Sequence, residues 1–267
     1  MVDLVNLEFD VKVAILAGGL GTRLSEETDV RPKPMVDVGG QPIIWHIMKH
    51  YERYGFAEFC VAVGYRGEMI KRFFADYTAL SGSMTVRIEG GEVKPIEEVR
   101  ERWTVHLIDT GNDTNTGGRV GRLGPWLRDG TFMLTYGDGV ADIDLDDLLG
   151  FHRSHGKLAT ITAVHPPSRF GEMVFDGAGD TVRFTEKPQM GEGWINGGFM
   201  VLEPKVLDLI QGDDTSFEGE VLEQLSEEGQ LVAYRHESFW QCMDTLRDLR
   251  HLRSLWEEGA PPWVTWE

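Results

Sequence analysis

The feature that most constrains this sequence is a short apolar run that ends directly in glycines. Residues 11–17 (VKVAILA) are followed by a glycine-rich loop at residues 18–23 (GGLGTR). An apolar run of this length is typical of a buried strand in a parallel sheet. In open α/β sheets, ligands bind at the carboxyl ends of the strands. The sequence therefore predicts a binding site in this loop.

Strand-like and helical patterns alternate along the rest of the chain. Further strand-like runs occur at residues 59–63, 84–88, 104–109, 132–136 and 158–164, and helical periodicity occurs at residues 42–54, 68–77, 146–155 and 218–228. The alternation predicts an α/β fold, a single Rossmann-like domain with a mainly parallel sheet flanked by helices. Turn residues at 176–180 (DGAGD) predict a small antiparallel hairpin added to it.

We expect this domain to span residues 11–267, after an N-terminal extension at residues 1–10. The extension contains three acidic residues and no Lys or Arg. It is therefore unlike a secretory signal peptide, and we expect a cytoplasmic location. Residues 89–102 are charged and lack clear periodicity, which leaves a lid-like excursion and an oligomer contact both open.

The charge balance limits the partners of this chain. It carries 26 basic and 44 acidic residues, a net charge of −18. A protein this acidic repels nucleic acid and anionic membranes, and no apolar run approaches the roughly 20 residues that span a bilayer. Any phosphate site must concentrate the few basic residues in one place. Cys60 and Cys242 form no CxxC motif, and we expect buried thiols rather than a disulfide scaffold.

Two basic residues lie in or near the glycine-rich loop. Gly18, Gly19 and Gly21 let backbone N–H groups approach phosphate oxygens, and Arg23 adds a planar cation. Lys33 lies between two prolines, which stiffen the backbone and suit a fixed contact. The loop is not a Walker A motif, and Leu24 replaces the third glycine of a dinucleotide fingerprint. A tight structural turn and a solvated lysine are the alternatives.

Two aspartates are candidates for a metal site. Asp138 directly follows the strand predicted at 132–136, and Asp244 precedes a helical pattern at 245–256. Two carboxylates with open coordination positions suit Mg²⁺, which combines few protein ligands with phosphates and water. Either aspartate alone is also typical of a helix cap, so both interpretations remain open.

Two other clusters of metal-ligand residue types predict structure rather than metal binding. Asp142, Asp144 and Asp146 resemble a calcium loop, but its required glycine is absent, and capping of a helix N-terminus explains them better. His46 and His50 have the i,i+4 spacing of a zinc-protease helix without its glutamate. We expect neither cluster to bind a metal.

Six motifs follow one another in a fixed order along nearly the whole chain. They are LAGGLGTRLSEETDVRPKPM, TGNDTNTGGR, TYGDGVAD, FTEKP, INGGF and FWQCMDTLRD. Together they resemble the sugar-nucleotide pyrophosphorylases, nucleotidyltransferases with a GT-A-like fold, and within them the glucose-1-phosphate cytidylyltransferase branch. The resemblance implies a homo-oligomeric, magnesium-dependent enzyme of polysaccharide biosynthesis, which makes CDP-glucose and pyrophosphate from CTP and glucose 1-phosphate.

The resemblance also implies the residues of the site. Nucleotide contacts would come from Leu16, Ala17, Gly18, Gly19, Leu20, Gly21, Thr22, Arg23, Lys33, Thr114, Arg119 and Gly137. Arg23, Lys33 and Asp138 would be catalytic, and Asp138 and Asp244 would hold Mg²⁺. The sugar phosphate would contact Glu186, Lys187, Asn196, Gly197 and Trp240. Taken by itself, the segment 114–119 is typical of a loop, and Trp240 is as typical of a core residue.

The expected chemistry is in-line attack of the sugar phosphate on the α-phosphorus of the nucleotide. Such a reaction needs positioning and charge neutralisation rather than a side-chain nucleophile. Three alternatives remain at this stage: the same transfer with UTP, dTTP or ATP, a GT-A glycosyltransferase that uses a nucleotide sugar, and a non-catalytic nucleotide-sugar sensor.

Overall fold

A central β-sheet organises the chain. The structure, a computed structural model, describes residues 11–166, 172–175, 182–185 and 193–266. Its strands are β1 (Val13–Ala17), β2 (Asp37–Val38), β3 (Gln41–Pro42), β4 (Glu58–Val63), β5 (Met84–Arg87), β6 (Glu92–Pro95), β7 (Thr104–Asp109), β8 (Phe132–Tyr136), β9 (Gly139–Ala141), β10 (Ala159–Val164), β11 (Glu172–Phe175), β12 (Val182–Thr185), β13 (Ile195–Leu202), β14 (Leu231–His236) and β15 (Trp240–Cys242).

Helices connect most of these strands. The α-helices are α1 (Ser25–Thr28), α2 (Ile43–Arg53), α3 (Gly67–Leu80), α4 (Thr116–Leu127), α5 (Leu145–His155), α6 (Glu223–Glu227) and α7 (Leu246–Glu257), and a π-helical turn, Phe217–Leu222, precedes α6. Short 3₁₀ turns cover Thr22–Leu24, Lys33–Met35 and Pro204–Leu209. No helix within the described ranges is both long and apolar enough to cross a membrane.

Seven strands form the main sheet, in the order β14-β10-β13-β8-β1-β4-β7. Every neighbouring pair is parallel except the two pairs that β13 makes with β8 and β10. The prediction of a mainly parallel sheet is therefore confirmed. The predicted hairpin is also present, because β11 pairs antiparallel with β12. Its turn at 176–180 lies outside the described residues.

Two hydrophobic clusters cover the two faces of the sheet. Alternate residues of β1 belong to different clusters: Val13 and Ile15 to one, Ala14 to the other. Helices α2 and α7 pack on the first face, and α4 packs on the second. This alternation follows from the two-residue period of side chains along a strand. The sequence prediction of helices on both faces is confirmed.

Helix α4 corrects the expectation of a loop at 114–119. Asn115 caps the helix by accepting the N–H of Thr116, and a row of apolar side chains then faces the core. The two glycines allow close packing: a Cβ on Gly117 would lie 2.7 Å from the Thr215 carbonyl oxygen. A Cβ on Gly118 would lie 2.4 Å from the carbonyl oxygen of Asp213. These glycines reflect contact with a distant segment, which the local pattern does not reveal.

The aspartates at 142–146 and the two histidines, His46 and His50, have structural roles. Asp144 is the N-cap of α5 and accepts the N–H of Asp147, as the capping interpretation predicts. His46 and His50 are buried in α2, where His46 Nε2 lies 2.8 Å from the Val38 carbonyl and His50 Nδ1 lies 3.1 Å from Thr265 Oγ1. Both cysteines are free thiols; Cys60 is buried and Cys242 is half-buried.

Candidate active site

A cavity of about 710 Å³ opens at the carboxyl ends of β1 and β8. The loop after β1 forms one wall, residues 112–116 after β7 form another, and residues 136–138 at the end of β8 form a third. Every residue that the sequence analysis assigns to nucleotide binding lines this cavity, together with Asp138. The location matches the sequence prediction, because parallel strands end at the same edge of the sheet.

Lys33, Asp138 and Asp244 meet at the edge of the cavity. The Lys33 ammonium lies 2.6 Å from Asp138 Oδ2 and 2.5 Å from Asp244 Oδ1. Strand pairing brings the two aspartates together: β9, which follows Asp138, pairs antiparallel with β15, which precedes Asp244. The Met243 N–H donates to the Asp138 carbonyl at 2.8 Å and extends this pairing. The sheet register therefore places two carboxylates on one cation.

The environment of Lys33 keeps its ammonium charged. Burial alone would lower its pKa, but the carboxylates of Asp138 and Asp244 more than offset this effect, and the pKa lies above the ordinary value. Because Lys33 follows Pro32 in a tight 3₁₀ turn, its backbone is held rigidly. The alternative of a freely solvated lysine is wrong, since only 11% of the Lys33 side chain is exposed.

The helix-cap interpretation of the two aspartates is also wrong. Thr245, not Asp244, is the N-cap of α7, and it forms a capping box with Asp248. Asp138 precedes a strand rather than a helix. The Asp244 carboxylate instead accepts from Lys33 and lies 2.7 Å from the guanidinium of Arg23, whose side chain is 74% exposed. Arg23 is thus tethered at the mouth of the cavity without being packed in place.

Arg119 lies beneath the loop. Its guanidinium donates to Thr110 Oγ1 at 2.7 Å, to the Gly111 carbonyl at 2.8 Å and to the Asn112 carbonyl at 3.1 Å. The pKa of Arg119 lies below its ordinary value, mainly because the guanidinium is partly buried. Gly18 packs against this group so closely that a Cβ there would lie 2.2 Å from a guanidinium nitrogen. Arg119 therefore lines the cavity and also fixes the backbone of two of its walls.

The chain matches the family model of nucleotidyl transferases over residues 12–259. The chain belongs to the nucleotidyl transferase family. Glucose-1-phosphate cytidylyltransferase of Salmonella typhi is 49% identical over 258 residues, which cover 96% of this chain and 100% of that protein. The protein of the same name from Salmonella typhimurium has the same identity and coverage. These relatives are enzymes, and this nucleotidyl transferase is an enzyme of the same kind.

A more distant relative and a solved structure are also similar to this chain. The catalytic subunit beta of mannose-1-phosphate guanylyltransferase from Dictyostelium discoideum is 30% identical over 243 residues, which cover 89% of this chain and 62% of that protein. The crystal structure of HddC from Yersinia pseudotuberculosis superposes with a TM-score of 0.67 at 24% identity, covering 92% of this chain and 99% of that one. The latter likeness supports the predicted α/β fold.

The residues expected to contact the sugar phosphate are placed only in part. Glu186 and Lys187 lie outside the described residues. Asn196 lies behind the cavity wall, where its side-chain amide donates to the Tyr136 hydroxyl at 3.3 Å. Trp240 donates its indole N–H to the Gly197 carbonyl at 2.7 Å, which holds β13 against β15. Trp240 is half-buried and supports this wall.

Sequence reasoning did not identify Tyr136 and Glu218. Tyr136 lines the cavity and its hydroxyl donates to Glu218 Oε1 at 2.5 Å. The other carboxylate oxygen of Glu218 accepts the hydroxyl of Thr116 at 2.6 Å. The position of Tyr136 beside Gly137 and Asp138 could have marked it as a site residue. For Glu218 the sequence offers no such signal, because its partners lie 82 and 102 positions away.

The paired aspartates fit a divalent cation. Asp138 and Asp244 direct one oxygen each at a single positively charged atom, Lys33 Nζ. Mg²⁺ typically takes one or two protein carboxylates and completes its coordination with substrate phosphates and water. Groups of three or more closely spaced His, Cys, Asp or Glu ligands do not occur within the described ranges. The donor set therefore suits a metal that arrives with a polyphosphate.

Proposed function

We propose that this nucleotidyl transferase makes CDP-glucose and pyrophosphate from CTP and glucose 1-phosphate. The observation that carries the proposal is one cavity in which a glycine-rich loop, a buried lysine and two convergent aspartates lie together. The choice of CTP and glucose 1-phosphate is supported by 49% identity to glucose-1-phosphate cytidylyltransferase over nearly the whole chain.

In the proposed reaction, an oxygen of the sugar phosphate attacks the α-phosphorus of CTP, and the bond to the β-phosphate breaks as pyrophosphate leaves. The backbone N–H groups of residues 18–22 bind the polyphosphate, and Lys33 neutralises it. Arg23, which is exposed at the mouth of the cavity, stabilises the departing pyrophosphate. Mg²⁺, which Asp138 and Asp244 would hold, supplies further charge neutralisation at the α-phosphate when bound.

Two polyanions must approach each other inside a protein of net charge −18. Preorganised cations lower this electrostatic barrier, and one such contact typically contributes ~10² to 10³ in rate. In the proposed site, Lys33 and Arg23 bind the nucleotide from one side. Lys187 and Glu186, with Asn196, Gly197 and Trp240, are proposed to hold the sugar phosphate on the other.

We also propose that the enzyme is a cytoplasmic homo-oligomer, as the resemblance implies. The hairpin of β5 and β6 and the residues beside it expose apolar side chains: Leu80 at the end of α3, Val86, Ile88, Val93 and Ile96 are between 48% and 89% exposed. Apolar side chains clustered in this way mark an interaction surface more often than a solvated one. Because Val93 and Ile96 belong to this surface, a subunit contact that includes part of residues 89–102 is favoured over a lid. Sedimentation velocity of the wild type and of Ile88→Glu would test it.

The experiment that tests the proposed reaction is release of pyrophosphate from each common nucleotide separately. The enzyme is incubated with glucose 1-phosphate, Mg²⁺ and CTP, UTP, dTTP or ATP. We expect release with CTP at a rate well above the others. A preference for another nucleotide would change the assigned base. Pyrophosphate release with none of them, but glycosyl transfer from a nucleotide sugar, would replace the proposal with a glycosyltransferase.

A further inference from the structure

Glu218 occupies an unusual position for a carboxylate near a site that binds polyanions. It lies on the π-helical turn Phe217–Leu222, behind the residues that line the cavity. It forms no ion pair among the described residues, and two hydroxyl groups hold it instead. The negative charge of Glu218 repels phosphate, and its partial burial costs free energy. Its presence here therefore indicates a task other than phosphate binding. The contacts of Glu218 indicate what that task is.

On one side, Glu218 fixes the nucleotide wall. Its Oε2 accepts from Thr116, the first residue of α4, and Thr116 Oγ1 in turn accepts the Phe217 N–H at 3.0 Å. The N–H of Gly117 donates to the Thr215 carbonyl at 2.9 Å. The start of α4, which lies directly after the loop at 112–115, is thereby joined to the segment that carries Glu218.

On the other side, Glu218 fixes the wall assigned to the sugar phosphate. Its Oε1 accepts a hydrogen bond from the Tyr136 hydroxyl, whose oxygen in turn accepts one from Asn196 Nδ2. Asn196 Oδ1 accepts the Gly198 N–H at 2.7 Å, which sets the orientation of the amide.

We propose that Glu218 is a positioning residue that sets the spacing of the two substrates. One carboxylate accepts from both walls of the cavity, Thr116 on the nucleotide side and Tyr136 on the sugar side. It acts through these residues and through Asn196, and does not contact the reacting atoms. This inference rests on the proposed function for the assignment of the sugar side.

The chemical identity of the group is essential to this role. A carboxylate accepts two hydroxyl protons at once, one on each oxygen. The amide in Glu218→Gln has the same shape but only one acceptor oxygen, so one of the two hydroxyls must turn away. A hydrogen bond to a charged group is strong enough that its loss changes an affinity by about 10- to 100-fold.

The test is steady-state kinetics of Glu218→Gln with CTP and glucose 1-phosphate. We expect KM for glucose 1-phosphate to rise about tenfold or more, with a melting temperature close to that of the wild type. Glu223→Gln is the matched control, since Glu223 is exposed and lies on the adjoining α6. Glu223→Gln should leave KM for glucose 1-phosphate and the melting temperature unchanged. Unaltered kinetics in Glu218→Gln would overturn the proposal.

Tyr136→Phe removes one of the two donors and leaves the carboxylate in place. It should reproduce the rise in KM for glucose 1-phosphate. In Tyr136→Phe the further change Glu218→Gln should add little to that rise, because the two residues act in one path. Independent, multiplicative effects would contradict the proposal, as would a lower melting temperature with unchanged KM.

Two further outcomes can be separated. If Glu218→Gln does not fold, Tyr136→Phe and Thr116→Val test the same claim one donor at a time, and normal KM values in both would overturn it. If the wild type itself makes no CDP-glucose, the proposed function fails. Isothermal titration of wild type and Glu218→Gln with the nucleotide and the sugar phosphate that the enzyme does use would then decide the role of Glu218. Equal affinities would overturn it.

Discussion

The ammonium of Lys33 lies 2.5 Å from Oδ1 of Asp244, and the same nitrogen contacts Asp138. A cation of the protein thus occupies the point where two carboxylates converge. The ion pair keeps the carboxylates close together despite their mutual repulsion. It also places the lysine at the cavity edge, within reach of an incoming polyphosphate.

Lys33→Ala should lower kcat/KM by about 10² to 10³, the usual effect of losing one preorganised charge contact. Lys49→Ala is a matched control, because Lys49 is also a largely buried lysine between two carboxylates, Glu52 at 2.6 Å and Glu101 at 3.3 Å. It lies on α2, away from the cavity lining, and its loss should leave turnover close to normal. Near wild-type turnover in Lys33→Ala would refute the role assigned to Lys33.

Removing divalent ions with a chelator should stop turnover without unfolding the protein, because the paired aspartates keep Lys33 as a counter-ion. Circular dichroism checks the fold, and restored Mg²⁺ should restore the rate. Asp138→Asn should lower the rate by about 10² to 10³ at saturating Mg²⁺. The exposed Asp129 provides the control Asp129→Asn. Full activity in the presence of chelator would exclude the proposed metal.

Gly18→Ala should destabilise the fold by about 1 to 3 kcal/mol, the usual cost of overpacking. The reason is that the new methyl group would lie 2.2 Å from the Arg119 guanidinium. Gly19→Ala is the control, since a Cβ there meets nothing within 4 Å. Urea unfolding of the two variants should separate them clearly, and equal stability would contradict the packing of Arg119 beneath the loop.

The free energy of unfolding should fall as the pH drops below about 6.5, in part because of His46. Burial lowers the pKa of His46 to about 4, whereas the unfolded histidine has the ordinary pKa of 6.5. Its contribution is therefore complete above pH 6.5 and is progressively lost down to about pH 4, a change of about 3 kcal/mol. His46→Gln should flatten this pH dependence in urea unfolding. The exposed control His251→Gln should not, and identical curves for His46→Gln and the wild type would contradict it.

The sequence predicted the elements that depend on local pattern and missed those that depend on distant contacts. Strand β8 (Phe132–Tyr136) lies where the apolar run predicts it, and the glycine-rich loop lies at the expected sheet edge. Helix α4 was missed because its paired glycines serve a contact with residues 213–215. Glu218 was missed for the same reason, since its role depends on side chains from two remote segments.

The closeness of Asp138 and Asp244 is another contact between distant segments that the local sequence pattern does not reveal. The resemblance predicts that the two aspartates share one metal ion. The physical cause of their closeness is the antiparallel pairing of β9 with β15, which only the three-dimensional structure shows. Local sequence indicated that Asp244 could cap α7, and Thr245 performs that task instead. A residue one position away can thus take over a structural role and leave the carboxylate available for binding.

In the proposed site, Lys33, Arg23 and the two aspartates form the place where both phosphates bind. A crystal structure with CDP-glucose and Mg²⁺ tests this arrangement. We expect the diphosphate in the 710 Å³ cavity beside the loop at 18–23, with the metal on Asp138 and Asp244. A ligand bound elsewhere, with Lys33 still paired to both aspartates and the cavity empty, would contradict it.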